Sequence, residues 1–139
     1  IAVFVVLADQ LSKIEVRANI SVGERVDVIG PLEFTHTHND GVAFGMASGG
    51  GIVVILLSLG ALVALGALLA HAPRRRPVWI ASGLILGGAV GNLIDRINQG
   101  HVTDFVLLPH WPAFNVADCA ITTGVIVLAW SLLSQAEDG

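Results

Sequence analysis

"GGAVGNLIDRINQGHVTDF", residues 87–105, decides how the chain is read. It begins as apolar sequence fit for a bilayer and then carries Asp95, Arg96 and Asp104. With Gly83 just upstream, Gly83, Gly87 and Gly91 recur every four residues, a small-residue spacing that lets membrane helices approach closely. Gly88, Asn92, Asp95 and Arg96 follow at offsets of four, seven and eight, so they occupy a neighbouring face of one helix. A charged helix stop would explain Asp95 and Arg96, but not Asn92 one turn deeper. Ionisable groups at membrane depth cost several kcal/mol and are functional suspects by default.

The whole composition has the same character. Hydrophobic residues make up 54% of 139 and charged residues 13%, with a mean hydropathy of +0.77. A soluble domain carries about 25% charged residues, so this chain is too apolar to cover a globule in water. The length fits one domain, residues 1–139. A net charge of −4 without a basic face excludes nucleic acid as a partner. Cys119 is the single cysteine, which rules out an internal disulfide and a zinc knuckle. Tyrosine is absent, leaving Trp79, Trp111 and Trp130 for an interfacial aromatic belt.

A spanning helix needs roughly 20 mostly apolar residues. Ile52–Ala70, Val78–Ile94 and Cys119–Ser134 (extended back to Val116) meet that length or approach it. The opening "IAVFVVLA" is short, and we read Ile1 as lying inside a first span that continues towards Lys13 from residues upstream. The expectation is a mainly α, multi-pass membrane protein with four transmembrane helices. Arg74, Arg75 and Arg76 place the loop between the second and third spans in the cytoplasm. Residues 14–51 and the link 97–113 then face outward. Residues 14–51 are rich in β-branched residues with Gly23, Gly30 and Pro31 as turn signals, which predicts a small extracytoplasmic antiparallel β-cradle. The acidic end "QAEDG" reads as a frayed terminus.

Polar residues cluster at the outward ends of these spans. Asp9 and Lys13 share a helix face and can pair, with Lys13 snorkelling to the interface in the plainest reading. Asn39 to Gly41 signals a turn that can offer backbone donors to an extended ligand. Asn115, three residues before Asp118, fits a helix N-cap with an acid at the third helical position. Asp104 lies in apolar company with no such structural reason. Antiparallel neighbouring helices would bring Asp104 and Asp118 to one depth. Two close carboxylates in a desolvated place share a proton, so one can activate water while the other polarises a carbonyl. The positive end of the fourth helix favours Asp118 as the charged base and leaves Asp104 protonated. His36 and His38, with His101 or His110, offer a weaker metal alternative, and no HExxH is present.

The ordered motifs resemble those of lipoprotein signal peptidases, the type II signal peptidases of bacteria. "DQLSK" is similar to an Asp-Gln-x-x-Lys motif, "NDGVAFG" to Asn-x-Gly-x-Ala-Phe, "GGAVGNLIDR" with "HVTDF" to a third region, and "FNVADCA" to Phe-Asn-x-Ala-Asp. The resemblance implies a membrane aspartyl endopeptidase without cofactor or metal. It implies removal of the signal peptide from diacylglyceryl-modified prolipoproteins, before the lipidated cysteine, and inhibition by globomycin-like peptides. It implies a location in the bacterial cytoplasmic (inner) membrane, with the site near the extracytoplasmic face. Membrane lipids and the precursor are the implied partners, and a monomer is expected. By position Asp104 and Asp118 match the catalytic pair. Asn39, Gly41, Gly88, Asn92, Arg96 and Asn115 match residues binding substrate or inhibitor, and Asp9, Lys13 and Asp95 match supporting residues. Residues 14–51, with Asn39 and Phe44, would act as a lid. Cys119 stands where serine is common, and Asp40 and Val42 vary within the second motif. Two readings from other classes remain: a small membrane carrier or proton pathway using the aspartates, and a structural subunit assembling through the glycine ridge.

Overall fold

In a computed structural model, which describes residues 1–41, 50–71 and 75–137, four helices carry a three-stranded sheet at one end. The order is α1 (Ala2–Asn19), β1 (Arg25–Ile29), β2 (Leu32–Asn39), α2 (Gly50–His71), α3 (Arg76–Gln99), β3 (Val102–Leu107) and α4 (Val116–Glu137). The architecture is mainly helical with a small antiparallel sheet, in the order β1-β2-β3. Among the described residues, two helices are long and apolar enough to cross a membrane, Arg76–Gln99 and Val116–Ser134. Within α2 the apolar run Ser58–Ala67 is shorter, and α1 carries Asp9, Lys13, Glu15 and Arg17. The four-span expectation therefore goes further than length and apolarity do here.

Helix α3 is the centre of the molecule because its glycines open both of its sides. A Cβ on Gly87 would lie 2.7 Å from Val5 Cβ, and one on Gly91 would lie 2.6 Å from Asp9 Oδ2. A Cβ on Gly83 would lie 2.9 Å from Ile1 Cβ. The ridge at 83, 87 and 91 is thus the contact with α1. Gly88 faces the other way, where a Cβ would collide with the Ala117 carbonyl oxygen of α4. The α4 glycine Gly124 returns the favour, with Cβ space only 2.8 Å from the Ala81 oxygen of α3. Close backbone approach is what holds membrane helices together when lipid removes the hydrophobic drive between them.

Helix α3 stops at Gly100, whose left-handed φ of 79° and N–H to the Arg96 carbonyl make a glycine C-cap. The chain then enters β3, a strand not foreseen in the link 97–113. It forms because its partner β2 lies far back in sequence, with Thr37 opposite Asp104 and Asn39 opposite Val102. A register shift between Phe34 and Thr37 re-aims the β2 side chains beside Asp104, as bulges near functional sites do. The predicted β-segment 14–51 needs correction at its start. Helix α1 runs on to Asn19, because Val16 continues the buried face set by Asp9 and Lys13 and Arg17 reaches back to Asp95. Residues 42–49, including Phe44 of the expected lid, and 72–74, including Arg74, lie outside the described residues. Helix α4 continues through Glu137 rather than fraying at Gln135.

If these glycines set the interhelical spacing, Gly88→Val should lower stability by about 2–3 kcal/mol through overpacking against α4. Gly66→Ala, where nothing lies within 4 Å, should be neutral or stabilising by up to about 1 kcal/mol. Thermal unfolding of the two variants in one detergent checks the contrast.

Candidate active site

The site is assembled from α1 outward. Lys13 is fully buried, at 0% exposure, and does not snorkel. Its three ammonium donors meet three acceptors: Asp9 Oδ2 at 2.8 Å, Asp95 Oδ2 at 3.1 Å and Asn92 Oδ1 at 2.9 Å. The interfacial reading fails because α3 supplies two of these partners, and a buried charge with all of its donors bonded has no need of water. Each carboxylate then holds another element. Asp9 Oδ1 accepts the Ala117 N–H of the first turn of α4, at 2.9 Å. Asp95 Oδ2 accepts the Thr103 N–H at the start of β3, at 3.0 Å. Gln10 Nε2 adds bonds to Asp9, Asp95 and the Gly91 carbonyl, and Arg17 reaches Thr103 Oγ1 at 3.1 Å.

Asp118 and Asp104 sit immediately beyond these two anchor points. Asn115 and Asp118 form the reciprocal cap expected from their spacing. The Asp118 N–H donates to Asn115 Oδ1 at 3.0 Å, and the Asn115 N–H donates to Asp118 Oδ2 at 3.1 Å. Asn92 Nδ2 donates to Asp118 Oδ1 at 2.9 Å. Asn115 Nδ2 donates to Asp104 Oδ1 at 2.7 Å, and also to Asn92 Oδ1 and the Thr103 carbonyl. Asn39 Nδ2 donates to Asp104 Oδ2 at 3.0 Å. Asn115 thus touches both carboxylates at once. Asn39 is aimed by its own turn, in which the N–H of Gly41 (φ 69°) donates to Asn39 Oδ1 at 3.0 Å. A left-handed residue is needed there, and glycine adopts that conformation without strain.

Asp104 is 3% exposed, and burial pushes its carboxyl up to about 6. The Asn39 and Asn115 amides pull the other way, while the neighbouring charge of Asp118 adds to the rise. Arg96 is half-buried, with Asp118, Asp104 and Asp95 as its electrostatic neighbours. Two cavities flank the pair. One, of about 650 Å³, opens over the sheet and includes Asp104, Thr37, Asn39 and Arg25 in its lining. The other, of about 340 Å³, lies against α4 and includes Asp118, Cys119, Thr122 and Phe114.

The profile of the signal peptidase (SPase) II family matches residues 1–134. The chain belongs to this signal peptidase II family. These enzymes are membrane aspartic peptidases. The lipoprotein signal peptidase of Moorella thermoacetica is 44% identical over 140 residues, covering 99% of this chain and 93% of that protein. That of Rhodococcus jostii is 40% identical over 148 residues, covering 100% and 74%. A solved bacterial membrane enzyme superposes with a TM-score of 0.89 at 33% identity, covering 99% of this chain and 87% of the other. A second gives 0.88 at 34%. Membership in the signal peptidase II family disfavours both the carrier and the structural-subunit readings.

The structure brings together Asp9, Lys13, Asn39, Gly41, Asn92, Asp95, Arg96, Asp104, Asn115 and Asp118. Gly88 lies at the α3–α4 contact, its Cβ space filled by α4 backbone. His38 and His101 stack with ring centres 3.7 Å apart, and His36 meets His38 edge-on at 5.2 Å. No group of three ligands that could hold a metal converges among the described residues. Sequence reasoning quoted Gln10 within the first motif without giving it a role, and left out Arg17 and Thr103. Arg17 was signalled by its spacing, eight residues after Asp9 and four after Lys13 on one helix face. Thr103 gave no signal, since only tertiary contact brings Asp95 to its amide.

Lys13→Met should cost about 3–5 kcal/mol, because it leaves Asp9 and Asp95 buried without their counter-charge. The loss is measurable by thermal unfolding, and a smaller loss should follow Arg17→Met, whose side chain is part-exposed.

Proposed function

We propose that Asp104 and Asp118 are the catalytic pair of a peptidase that removes signal peptides from diacylglyceryl-modified prolipoproteins. The bridging of both carboxylates by Asn115 is the observation that carries this reading. The Asp118 carboxylate accepts from the Asn92 amide and the Asn115 N–H and sits in the positive first turn of α4, where a base that takes a proton from water is well placed. Asp104, raised by burial, is the member that keeps the proton. Asp118 takes a proton from water, whose oxygen bonds to the scissile carbonyl carbon as Asp104 protonates the carbonyl oxygen. The tetrahedral diol then loses the amine, which receives the proton from Asp118, while Asp104 recovers its own from a hydroxyl. The products are a peptide carboxylic acid and a new amino group on the lipidated cysteine. No metal or cofactor takes part. Asn39, Asn92 and Asn115 orient the pair, Gly41 fixes Asn39, and Arg96 offers a cation for a substrate carbonyl. Asp9, Lys13 and Asp95 act through the elements they hold.

The surface supports a membrane setting with four spans. Apolar side chains point outward along the helices, with Phe4 75%, Val63 73% and Trp130 73% exposed, while Asp9, Lys13, Asn92, Asp95 and Asn115 are buried. This distribution suits lipid rather than water. The run Arg74–Arg76 where α2 connects to α3 supports a cytoplasmic connection there and, with it, an extracytoplasmic sheet and carboxylate pair. The precursor enters from the bilayer, its acyl chains staying in lipid beside the Asp118 cavity. One chain supplies both carboxylates, so a monomer suffices. Globomycin-like peptides would compete for the same amides.

Asp104→Asn and Asp118→Asn, made singly, should each lower cleavage of a lipidated precursor by about 10²–10⁴-fold, read as a gel shift. Either variant cleaving at the wild-type rate would remove the pair from the mechanism. The pH dependence has a definite sign. Activity needs protonated Asp104, so kcat/KM falls as pH rises through the Asp104 value of about 6. Asn39→Ala removes a donor that favours the carboxylate, so it should move this falling limb to higher pH.

A further inference from the structure

We propose that Arg25 selects acidic residues a few positions downstream of the scissile bond, an inference that rests on the peptidase reading above. A precursor cut at the outer interface leaves its apolar signal segment among the helices and carries its polar mature segment outward. The 650 Å³ groove over the sheet begins at Asp104 and continues past Thr37 and Thr35 to Arg25, with Trp111 along its rim. Thr35, Thr37 and Asn39 of β2 all line this space, Thr35 Oγ1 donating to the Glu24 carbonyl and Thr37 Oγ1 to the Asp104 carbonyl. The strand register gives the direction. Asp104 on β3 stands opposite Thr37, and Arg25 on β1 stands opposite Thr35. Crossing two strand spacings and two residues along β2 separates them by about 12 Å, which an extended peptide covers in three to four residues.

Arg25 is the only permanent cation lining the groove among the described residues. Its side chain is 68% exposed, and its ion pair with Glu33 is loose at 3.7 Å. A substrate carboxylate arriving along the groove can therefore compete for the guanidinium. Asp40 and Asp104 line the same groove. A basic residue reaching the Arg25 end of the groove meets like charge instead, offset only in part by the Glu33 carboxylate at 3.7 Å. Preference for acid at the third and fourth positions of the mature segment follows.

The test uses the purified full chain in detergent and three lipidated precursors carrying Asp-Asp, Asn-Asn or Lys-Lys at those two positions. Wild type should cleave the acidic precursor about fivefold faster than the basic one in kcat/KM, as expected for an exposed ion pair. The ratio should shrink at high salt, and Arg25→Glu should invert it while melting at the wild-type temperature. Equal rates for the acidic and basic precursors, or a ratio unmoved by Arg25→Glu, would overturn the assignment. Failure of wild type to cleave any of the three rejects the peptidase reading itself, and the role of Arg25 with it.

Discussion

The Lys13 ammonium, sealed from solvent, is the constraint on which the rest of the structure depends. A buried cation with unmet donors would be intolerable, so Asp9, Asp95 and Asn92 must all converge on it. Asp9 Oδ1 is then free to hold the Ala117 N–H at the head of α4, while Asp95 Oδ2 accepts both from Lys13 and from the Thr103 N–H at the head of β3. Asp118 follows Ala117 by one residue, and Asp104 follows Thr103 by one residue. One ammonium thereby fixes the positions of two carboxylates that are not bonded to it. Arg17 adds a second cation beside Asp95, so two acids and two bases occupy this part of the structure. The arrangement resists change at any one member, because removing one leaves another buried without a partner.

The same network explains why the two aspartates differ although both sit among asparagines. Asp118 lies at a helix N-terminus, with backbone and amide donors on its oxygens. Asp104 lies on a strand, 3% exposed, where burial outweighs its two amide bonds. Helix end and strand are different electrostatic environments, and the fold sets them side by side through Asn115. The polar interior and apolar exterior belong to one design. Lipid makes no demand for a polar surface, and the glycine contacts of α3 bring the backbones close enough for short side chains such as Asn92 to reach across.

Much of the site could be read in the residues. The cap between Asn115 and Asp118 followed from a spacing of three, since an N-cap and its third residue meet on any helix. The ridge at Gly83, Gly87 and Gly91 followed from a spacing of four, and it faces another helix as such ridges do. Asp9 and Lys13 were correctly paired by their spacing, but the depth of the pair was not. Whether Lys13 snorkels or is buried depends on what α3 brings against it, and that lies about 80 positions away. Strand β3 was missed because Val102–Leu107 pairs with β2, far back in the chain, and a six-residue segment that includes Thr103 and Asp104 does not by itself distinguish strand from link.

By itself the sequence determined the class of the chain and several of its local features. It marked a chain too apolar for water, helices of membrane grade, the cap on α4 and a set of ordered motifs that identify a family. These depend on composition and on neighbours within a turn or two, where periodicity is a reliable guide. Only the tertiary structure decided that Asp104 lies on a sheet, that Asn115 joins it to Asp118, and that Lys13 is enclosed between α1 and α3. Those facts arise from contacts between residues separated by tens of positions. No local pattern encodes such meetings; they follow once the glycines have let the helices close and the buried charges have found each other.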